Sequence, residues 1–88
     1  MTVHCVSYDL NKSGQNYNAL YDELKKSPGW CHALDSTWLV STTETARQLS
    51  DRLRRHLDNN DTLLVMAVAK DNAGWLPQST WDWINKHV

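Results

Sequence analysis

Asp9 is the residue of this chain whose position best suits chemistry. It ends an apolar, strand-like run (residues 3–8) and is followed by a polar turn that contains Asn11 and Ser13. A carboxylate at the exit of a buried strand is a common ligand of hard cations such as Mg²⁺, which prefer oxygen donors. A residue that stabilises a turn is equally common there. From the residues alone, Asp9 is therefore either a metal ligand or a cap of the turn through Asn11 and Ser13.

A single carboxylate does not complete a Mg²⁺ shell, which requires six oxygen ligands. A two-fold homodimer repeats each surface patch, so it would bring two copies of Asp9 together if the strand ends lie near the axis. A shared Mg²⁺ or Mn²⁺ ion there could position a water molecule against a phosphodiester bond. Such an arrangement would allow metal-assisted cleavage of a phosphodiester bond. The side chains that would orient water or phosphate are those of Ser7, Tyr8, Asn11 and Lys12.

The turn after Asp9 is a second candidate for phosphate binding. Residues 11–16 carry several hydrogen-bond donors and one cation, Lys12, close to the start of a predicted helix. Helix N-termini favour anions, so Asn11 and Lys12 could receive a phosphate. The turn lacks the glycine spacing and the Gly-Lys-Ser/Thr ending of a P-loop, and a solvated loop is the alternative.

The basic residues are concentrated in the second predicted helix. Arg47, Arg52, Arg54 and Arg55 lie there, with Asp51 among them. The four arginines, Arg47, Arg54 and Arg55 among them, could contact phosphates, or they could form a solvated face with i,i+4 pairs to Asp51. The net charge of −1 and the isoelectric point near 6.4 restrict any nucleic-acid binding to a local patch. A protein that neutralises many phosphates usually has a basic excess.

Cysteine and histidine chemistry is disfavoured by position. Cys5 and Cys31 do not form a disulfide framework, and the four histidines lack the spacing of a zinc site. His32 follows Cys31 directly, but neighbours on a strand point to opposite faces. The pair is therefore poorly placed to act as a nucleophilic dyad.

The chain contains five tryptophans. Trp30 and Trp38 flank two predicted strands and are assigned to the core. Trp81 and Trp83 are two residues apart, about 200° around a helix, and cannot share one face. If Trp81 packs with Ile84 against the domain, leaving Trp83 in water would be costly. Trp83 is therefore predicted to contact a second subunit or another partner, since tryptophan is enriched in binding hot spots.

The elements that position these residues follow from the apolar periodicity. Strands are predicted at residues 2–9, 30–34, 37–41 and 62–69, and helices at residues 16–26 and from about residue 42 to 57. Asn16 is predicted to cap the first helix, and Ser41 the second, with Glu44 reaching back to it. A short final helix is predicted to follow Ser79 or Thr80. The strand at residues 62–69 is apolar on both faces and is therefore predicted to be central in the sheet.

The order strand, helix, strand, strand, helix, strand indicates the α+β class. It predicts a ferredoxin-like sandwich, an antiparallel sheet with both helices on one face. Residues 1–88 are predicted to form one domain. Its second face would be covered by the tail (residues 69–88), by a second subunit, or by both. Without a long apolar run or signal-peptide features, no membrane association and a cytoplasmic location are expected.

Three segments give the chain a resemblance to a known family. They are Val-Ser-Tyr-Asp-Leu (residues 6–10), Leu-Asp-Ser-Thr-Trp-Leu-Val (34–40) and Leu-Leu-Val-Met-Ala-Val (63–68). Together they resemble the CRISPR-associated Cas-two family and its VapD-like toxin relatives. The likeness is closest to a SinR-like branch that carries the phrase Ser-Tyr-Asp-Leu-Asn and a Trp-Leu-Pro tail. The likeness to the family as a whole is in the order of the helices and strands over residues 3–69. The likeness to the SinR-like branch extends over nearly the whole chain.

The resemblance implies a ferredoxin-like homodimer with a role in antiviral defence. It implies that Asp9 holds a divalent metal and that the dimer cleaves RNA or DNA. It also allows a catalytically silent scaffold that binds nucleic acid or a protein such as an adaptation integrase, or a toxin covered by an antitoxin. Arginines usual early in the family's first helix are replaced here by Gln-Asn-Tyr-Asn (residues 15–18). The family's Arg-Val-Gln-Ser-Val-Phe-like centre reads His-Ala-Leu-Asp-Ser-Thr-Trp (residues 32–38), which weighs against tight gripping of duplex DNA.

Overall fold

The computed structural model describes residues 1–11 and 17–88, and these residues form an α+β fold around one sheet. In chain order the elements are β1 (Thr2–Asp9), α1 (Asn18–Lys25), β2 (Gly29–Leu34), β3 (Thr37–Thr42), α2 (Ala46–Arg54), β4 (Thr62–Ala67) and α3 (Gln78–His87). The four strands are antiparallel to their neighbours, in the order β2-β3-β1-β4. The predicted α+β class is confirmed. Lys12 and the predicted cap Asn16 lie outside the described residues.

β1 occupies the interior of the sheet and has a different set of neighbours on each face. Successive side chains of a strand point to opposite faces. Val6 and Tyr8 point toward α1 and α2, where they join the larger apolar core. Val3 and Cys5 point to the second face and join a smaller cluster. By the same alternation Asp9 lies on the second face of the sheet.

α1 and α2 cover the first face with the apolar stripes that the sequence predicts. Leu20 and Leu24 of α1 and Leu49 and Leu53 of α2 are fully buried around Trp38 of β3. Full burial of one such side chain contributes about 1.5–3 kcal/mol relative to leaving it exposed. The same core leaves most charged side chains of both helices in solvent, with Glu23 and Arg52 as the exceptions.

The prediction that β4 is a central strand was wrong, because β4 is at an edge of the sheet. Leu63 and Val65 pack against the larger core, as expected for one face. Leu64 and Met66, on the other face, are each 56% exposed. Apolarity on both faces therefore marks a surface that the rest of the described chain does not cover. The strand also ends at Ala67 rather than at residue 69.

The predicted capping box at the start of α2 was also wrong. Ser41 lies in β3, opposite Val3 of β1. The cap is Thr45, whose Oγ1 accepts from the Gln48 N–H at 3.1 Å while Gln48 Oε1 accepts from the Thr45 N–H at 2.9 Å. The same residue pattern recurs four positions later, and pairing with β1 keeps Ser41 in the strand. α2 then ends at Arg54 instead of residue 57.

The last helix begins earlier than predicted. Its N-cap position is Pro77, and both Ser79 and Thr80, the predicted caps, lie inside α3. The described helices contain 8, 9 and 10 residues. None of them is both long and apolar enough to cross a membrane.

α3 packs on the second face of the sheet, which was one of the predicted positions of the tail. Ile84 is buried against Val3 and Leu39, and Trp81 packs against the same cluster. The Val68 N–H donates to the Val3 carbonyl at 2.8 Å, which starts the tail across this face. The cover is partial, because Leu64 and Met66 of β4 stay exposed.

Candidate metal and nucleic-acid site

Asp9 lies at the end of β1, opposite Thr62 of β4, and its side chain is exposed. A shallow pocket of about 180 Å³ opens there. Its lining residues are Ser7, Tyr8, Asp9, Thr62, Leu63 and Leu64. The pairing of β1 with β4 therefore places the Asp9 carboxylate beside a depression with hydroxyl groups in its wall.

The donors at this pocket are of the right kind for a hard cation but too few. Asp9 brings a carboxylate, and Ser7 and Thr62 bring hydroxyls, of which Ser7 Oγ is hydrogen-bonded to Thr37 Oγ1 at 3.3 Å. Among the described residues, no group of three or more His, Cys, Asp or Glu is placed to hold a metal ion. Because Mg²⁺ takes six oxygens, one protomer does not complete such a site. A second copy of Asp9 would double the charge of the donor set.

Asp9 shares its face of the sheet with exposed apolar side chains. Directly paired residues share a face, and Leu64 pairs with Ser7, Met66 with Cys5 and Leu34 with Thr37. Leu34 is 55% exposed, close to the value for Leu64 and Met66. We call this region the open sheet surface, and its members are Ser7, Asp9, Leu34, Leu64 and Met66. It is the part of the second face that α3 leaves uncovered.

Asp61, which sequence reasoning missed, binds the described residues on both sides of residues 12–16. Its Oδ1 accepts from the Asn11 N–H and from the Tyr17 hydroxyl, both at 2.7 Å. Its Oδ2 accepts from the Asp58 N–H at 2.7 Å. The backbone amide of Asn11 is thus bound by Asp61 rather than by Asp9. The run of Asp and Asn at residues 58–61 was the available signal, since such side chains bond nearby backbone groups.

The phosphate-binding prediction for the turn is only partly within the described chain. Asn11 is exposed, and its Nδ2 donates to the Asn60 carbonyl at 2.9 Å. Lys12 and the rest of residues 12–16 lie outside the described residues. One hydrogen-bond donor of the Asn11 side chain is therefore already used within the chain, and fewer remain for a ligand.

The four arginines of α2 divide into two groups. Arg47, Arg54 and Arg55 are exposed, as predicted. Arg47 Nε lies 3.4 Å from Asp51 Oδ1, so the predicted i,i+4 pair is present there. The exposed arginines stay candidates for phosphate contacts, while Arg52 has a different role.

Arg52 joins two carboxylates and does not belong to a solvent-facing basic patch. Its Nη1 lies 2.9 Å from Glu23 Oε2 and its Nη2 lies 2.9 Å from Glu44 Oε1. Nη2 also donates to Ser27 Oγ at 3.0 Å. Hydrogen bonds from His56 and Arg52 lower the pKa of Glu23, and the bond from Arg52 lowers the pKa of Glu44. This ion network ties α1, α2 and the loop before α2 together.

His32 and Cys31 lie on opposite faces of β2, as predicted. The Cys31 side chain packs in the smaller cluster, where burial raises the pKa of its thiol. The His32 ring is exposed and stacks on Trp38, with centroids 4.1 Å apart. The geometry therefore gives no Cys-His dyad.

The tryptophans occupy positions that the sequence anticipates only in part. Trp38 is buried, but Trp30, predicted to be core, is 39% exposed. Trp81 packs near Ile84 as predicted, and Trp83 is half-buried with its ring 4.1 Å from that of His87. Trp83 therefore has partners within its own chain, whereas Trp75 is fully exposed. Nothing in the local sequence distinguished Trp75.

No family model matches the sequence, and no solved structure matches the fold. The function is therefore inferred from the geometry around Asp9.

Proposed function

We propose that the chain is a homodimeric, Mg²⁺- or Mn²⁺-dependent endonuclease with a ferredoxin-like fold, in which Asp9 of both protomers holds the metal. The element order supports the fold. β1 and β2 are both antiparallel to β3, which lies between them, so β1 and β2 are parallel and form a split β-α-β unit with α1. The resemblance of residues 6–10 to the Cas-two family also supports this function.

The observation that carries the proposal is that Asp9 and the exposed apolar residues share one face. Leu34, Leu64 and Met66 would be buried if two open sheet surfaces met, and burial of apolar area drives such association. A two-fold axis that passes near the end of β1 would bring the two copies of Asp9 together at the border of this contact. Dimerisation and completion of the metal site would then be one event.

The residues around Asp9 supply positioning. A divalent cation held by the carboxylates would supply a bound water of lowered pKa as nucleophile. Ser7 and Thr62 line the pocket with hydroxyls that can orient a phosphate oxygen. Tyr8 is held by a hydrogen bond from Trp38 Nε1 at 2.9 Å, which fixes the end of β1 and hence the position of Asp9. We place this activity in the cytoplasm.

A second candidate is a catalytically silent dimer that binds nucleic acid, an adaptation integrase or an antitoxin. The fully exposed Trp75 favours it, because a tryptophan in that state is a natural contact for a partner. The test that separates the two candidates is whether the dimer cleaves a phosphodiester bond, which the first candidate does through Asp9.

The test is cleavage of labelled single-stranded RNA and duplex DNA by wild type and Asp9→Ala, with Mg²⁺, with Mn²⁺ and with a chelator. Loss of a metal ligand should reduce the rate at least about 100-fold, more than the loss typical of an outer-shell partner. Asp71→Ala is the matched control, because Asp71 is an exposed aspartate in the tail. Cleavage that survives both Asp9→Ala and chelation would exclude the metal-nuclease function. Absence of cleavage by wild type would favour the silent dimer.

A further inference from the structure

A group of aromatic rings lies at the edge of the sheet formed by β2, on the face covered by α1 and α2. Trp38 is its buried floor, 1% exposed. His32 stacks on Trp38 at 4.1 Å with 13° between the ring planes, and the Tyr21 ring lies 6.2 Å from Trp38 at 17°. The Trp30 ring is 5.4 Å from the same floor. We call Tyr21, Trp30, His32 and Trp38 the aromatic edge.

The outer rings of the aromatic edge are exposed and held in place. Trp30 is 39% exposed and His32 is also exposed. The His32 Nε2–H donates to the Asp35 carbonyl at 3.1 Å, which fixes the ring against Trp38. Trp38 is fixed in turn by its bond to the Tyr8 hydroxyl. A planar group that stacks on His32 would therefore meet a ring that loses little freedom on binding.

A cation lies over one of these rings, that of Trp30, although the chain as a whole is slightly acidic. Lys25 Nζ is 5.5 Å from the centroid of the Trp30 ring. Lys25 is in the last turn of α1 and is exposed. Aromatic rings for bases next to a cation for phosphates are the combination by which proteins bind single-stranded nucleic acid.

We propose that the aromatic edge binds single-stranded nucleic acid, with bases stacked on His32 and Trp30 and a phosphate near Lys25. A duplex is a poor ligand, because its bases are stacked on each other and unavailable to protein rings. As a statement about substrate class, this inference rests on the proposed nuclease function. The binding itself does not require cleavage.

The aromatic edge and Asp9 lie on opposite faces of the sheet, two strands apart. Val6 and Trp38 are paired, and Asp9 is three residues beyond Val6 on β1. His32 lies on β2, two strands away from β1. With about 3.3 Å per residue and about 4.8 Å between strands, the Cα atoms of His32 and Asp9 are about 14 Å apart. Because Asp9 lies on the second face of the sheet, a strand bound at the aromatic edge would have to pass around the end of the sheet to reach it.

The test is fluorescence anisotropy of labelled 12-nucleotide RNA and DNA, single-stranded and duplex, in chelator so that no cleavage occurs. Wild type should bind the single strands and should bind the duplexes much more weakly. The comparison of RNA with DNA shows whether ribose or deoxyribose is preferred. Trp30→Ala should weaken binding at least about fivefold, the lower bound of one base stack. Trp30→Phe should retain most of the affinity. Asn85→Ala changes an exposed residue of α3 and should leave binding unchanged.

Lys25→Ala is the second variant, because an exposed lysine can be removed without disturbing the core. When the logarithm of the affinity is plotted against the logarithm of the salt concentration, this variant should give a slope smaller in magnitude by about one, the value for one lost phosphate contact. The proposal is overturned if wild type does not bind single strands, if duplexes bind equally well, or if Trp30→Ala and Lys25→Ala both bind like wild type. Binding without any cleavage by wild type would overturn the nuclease function and leave the aromatic edge as the binding site.

Discussion

At the residue scale, Arg52 shows how one side chain can join separate elements. The Arg52 side chain is 18% exposed, and its two partners, Glu23 and Glu44, are 10% and 26% exposed. Removing one member of a mostly buried ion network leaves charges without compensation. Arg52 is therefore a structural residue, although its sequence context resembles that of the solvent-facing Arg47 and Arg54.

We expect Arg52→Met to lower the free energy of unfolding by about 2–4 kcal/mol, measured by urea denaturation near pH 7. The exposed Arg47→Met should change it by less than about 0.5 kcal/mol. The pKa values of Glu23 and Glu44 lie below the usual 4.5 in the folded protein. The stabilisation that these two ionised carboxylates give the folded protein is therefore present above about pH 4.5, and it is lost as the pH falls below that value.

Wild type should consequently lose stability more steeply than Arg52→Met between about pH 5 and pH 3. Parallel pH profiles for the two proteins would show that Arg52 does not hold the carboxylates ionised.

At the element scale, the start of α2 tests which residue caps the helix. Thr45→Ala should cost about 1 kcal/mol, because it leaves the Gln48 N–H without its side-chain acceptor. Thr43→Ala, at an exposed position in the same loop, should have little effect. The measurement is thermal or urea unfolding followed by circular dichroism. A larger loss for Thr43→Ala than for Thr45→Ala would contradict the assignment of the cap.

Periodicity predicted the elements and their order because α1, α2 and β1 bury their apolar residues at regular spacing. It misplaced β4, since apolarity on both faces does not distinguish a strand between two others from an edge strand with an exposed face. It placed Asp9 at the end of a strand. It did not identify Asp61, because the bonds from Asp61 to Asn11 and Tyr17 cross 50 and 44 residues of sequence. Such contacts depend on the packing of loops that have no periodic signal.

At the scale of the whole molecule, the open sheet surface predicts the assembly. Leu64→Lys would place a charge within the proposed contact and should lower the mass found by sedimentation velocity at micromolar concentration. Asn85→Lys adds the same charge on the exposed side of α3 and is the matched control. Because Leu64 is 56% exposed in one chain, the change should leave each protomer folded.

An unchanged mass for Leu64→Lys would remove this surface as the interface. The sequence-based alternative, contact through Trp83, would then be tested by Trp83→Ala. A lower mass for Trp83→Ala with unchanged protomer stability would place the interface at α3.

The position of Asp61 has a consequence for how the region beside Asp9 moves. Asn11 and Tyr17, the described residues on either side of residues 12–16, are both bonded to this one carboxylate. Asp58, within the loop before β4, is bonded to it as well. Local opening in proteins occurs in cooperative units defined by shared bonds. The amide protons of Asn11, of Tyr17 and of the loop before β4 should therefore exchange with solvent at similar rates, because all three are tied to Asp61.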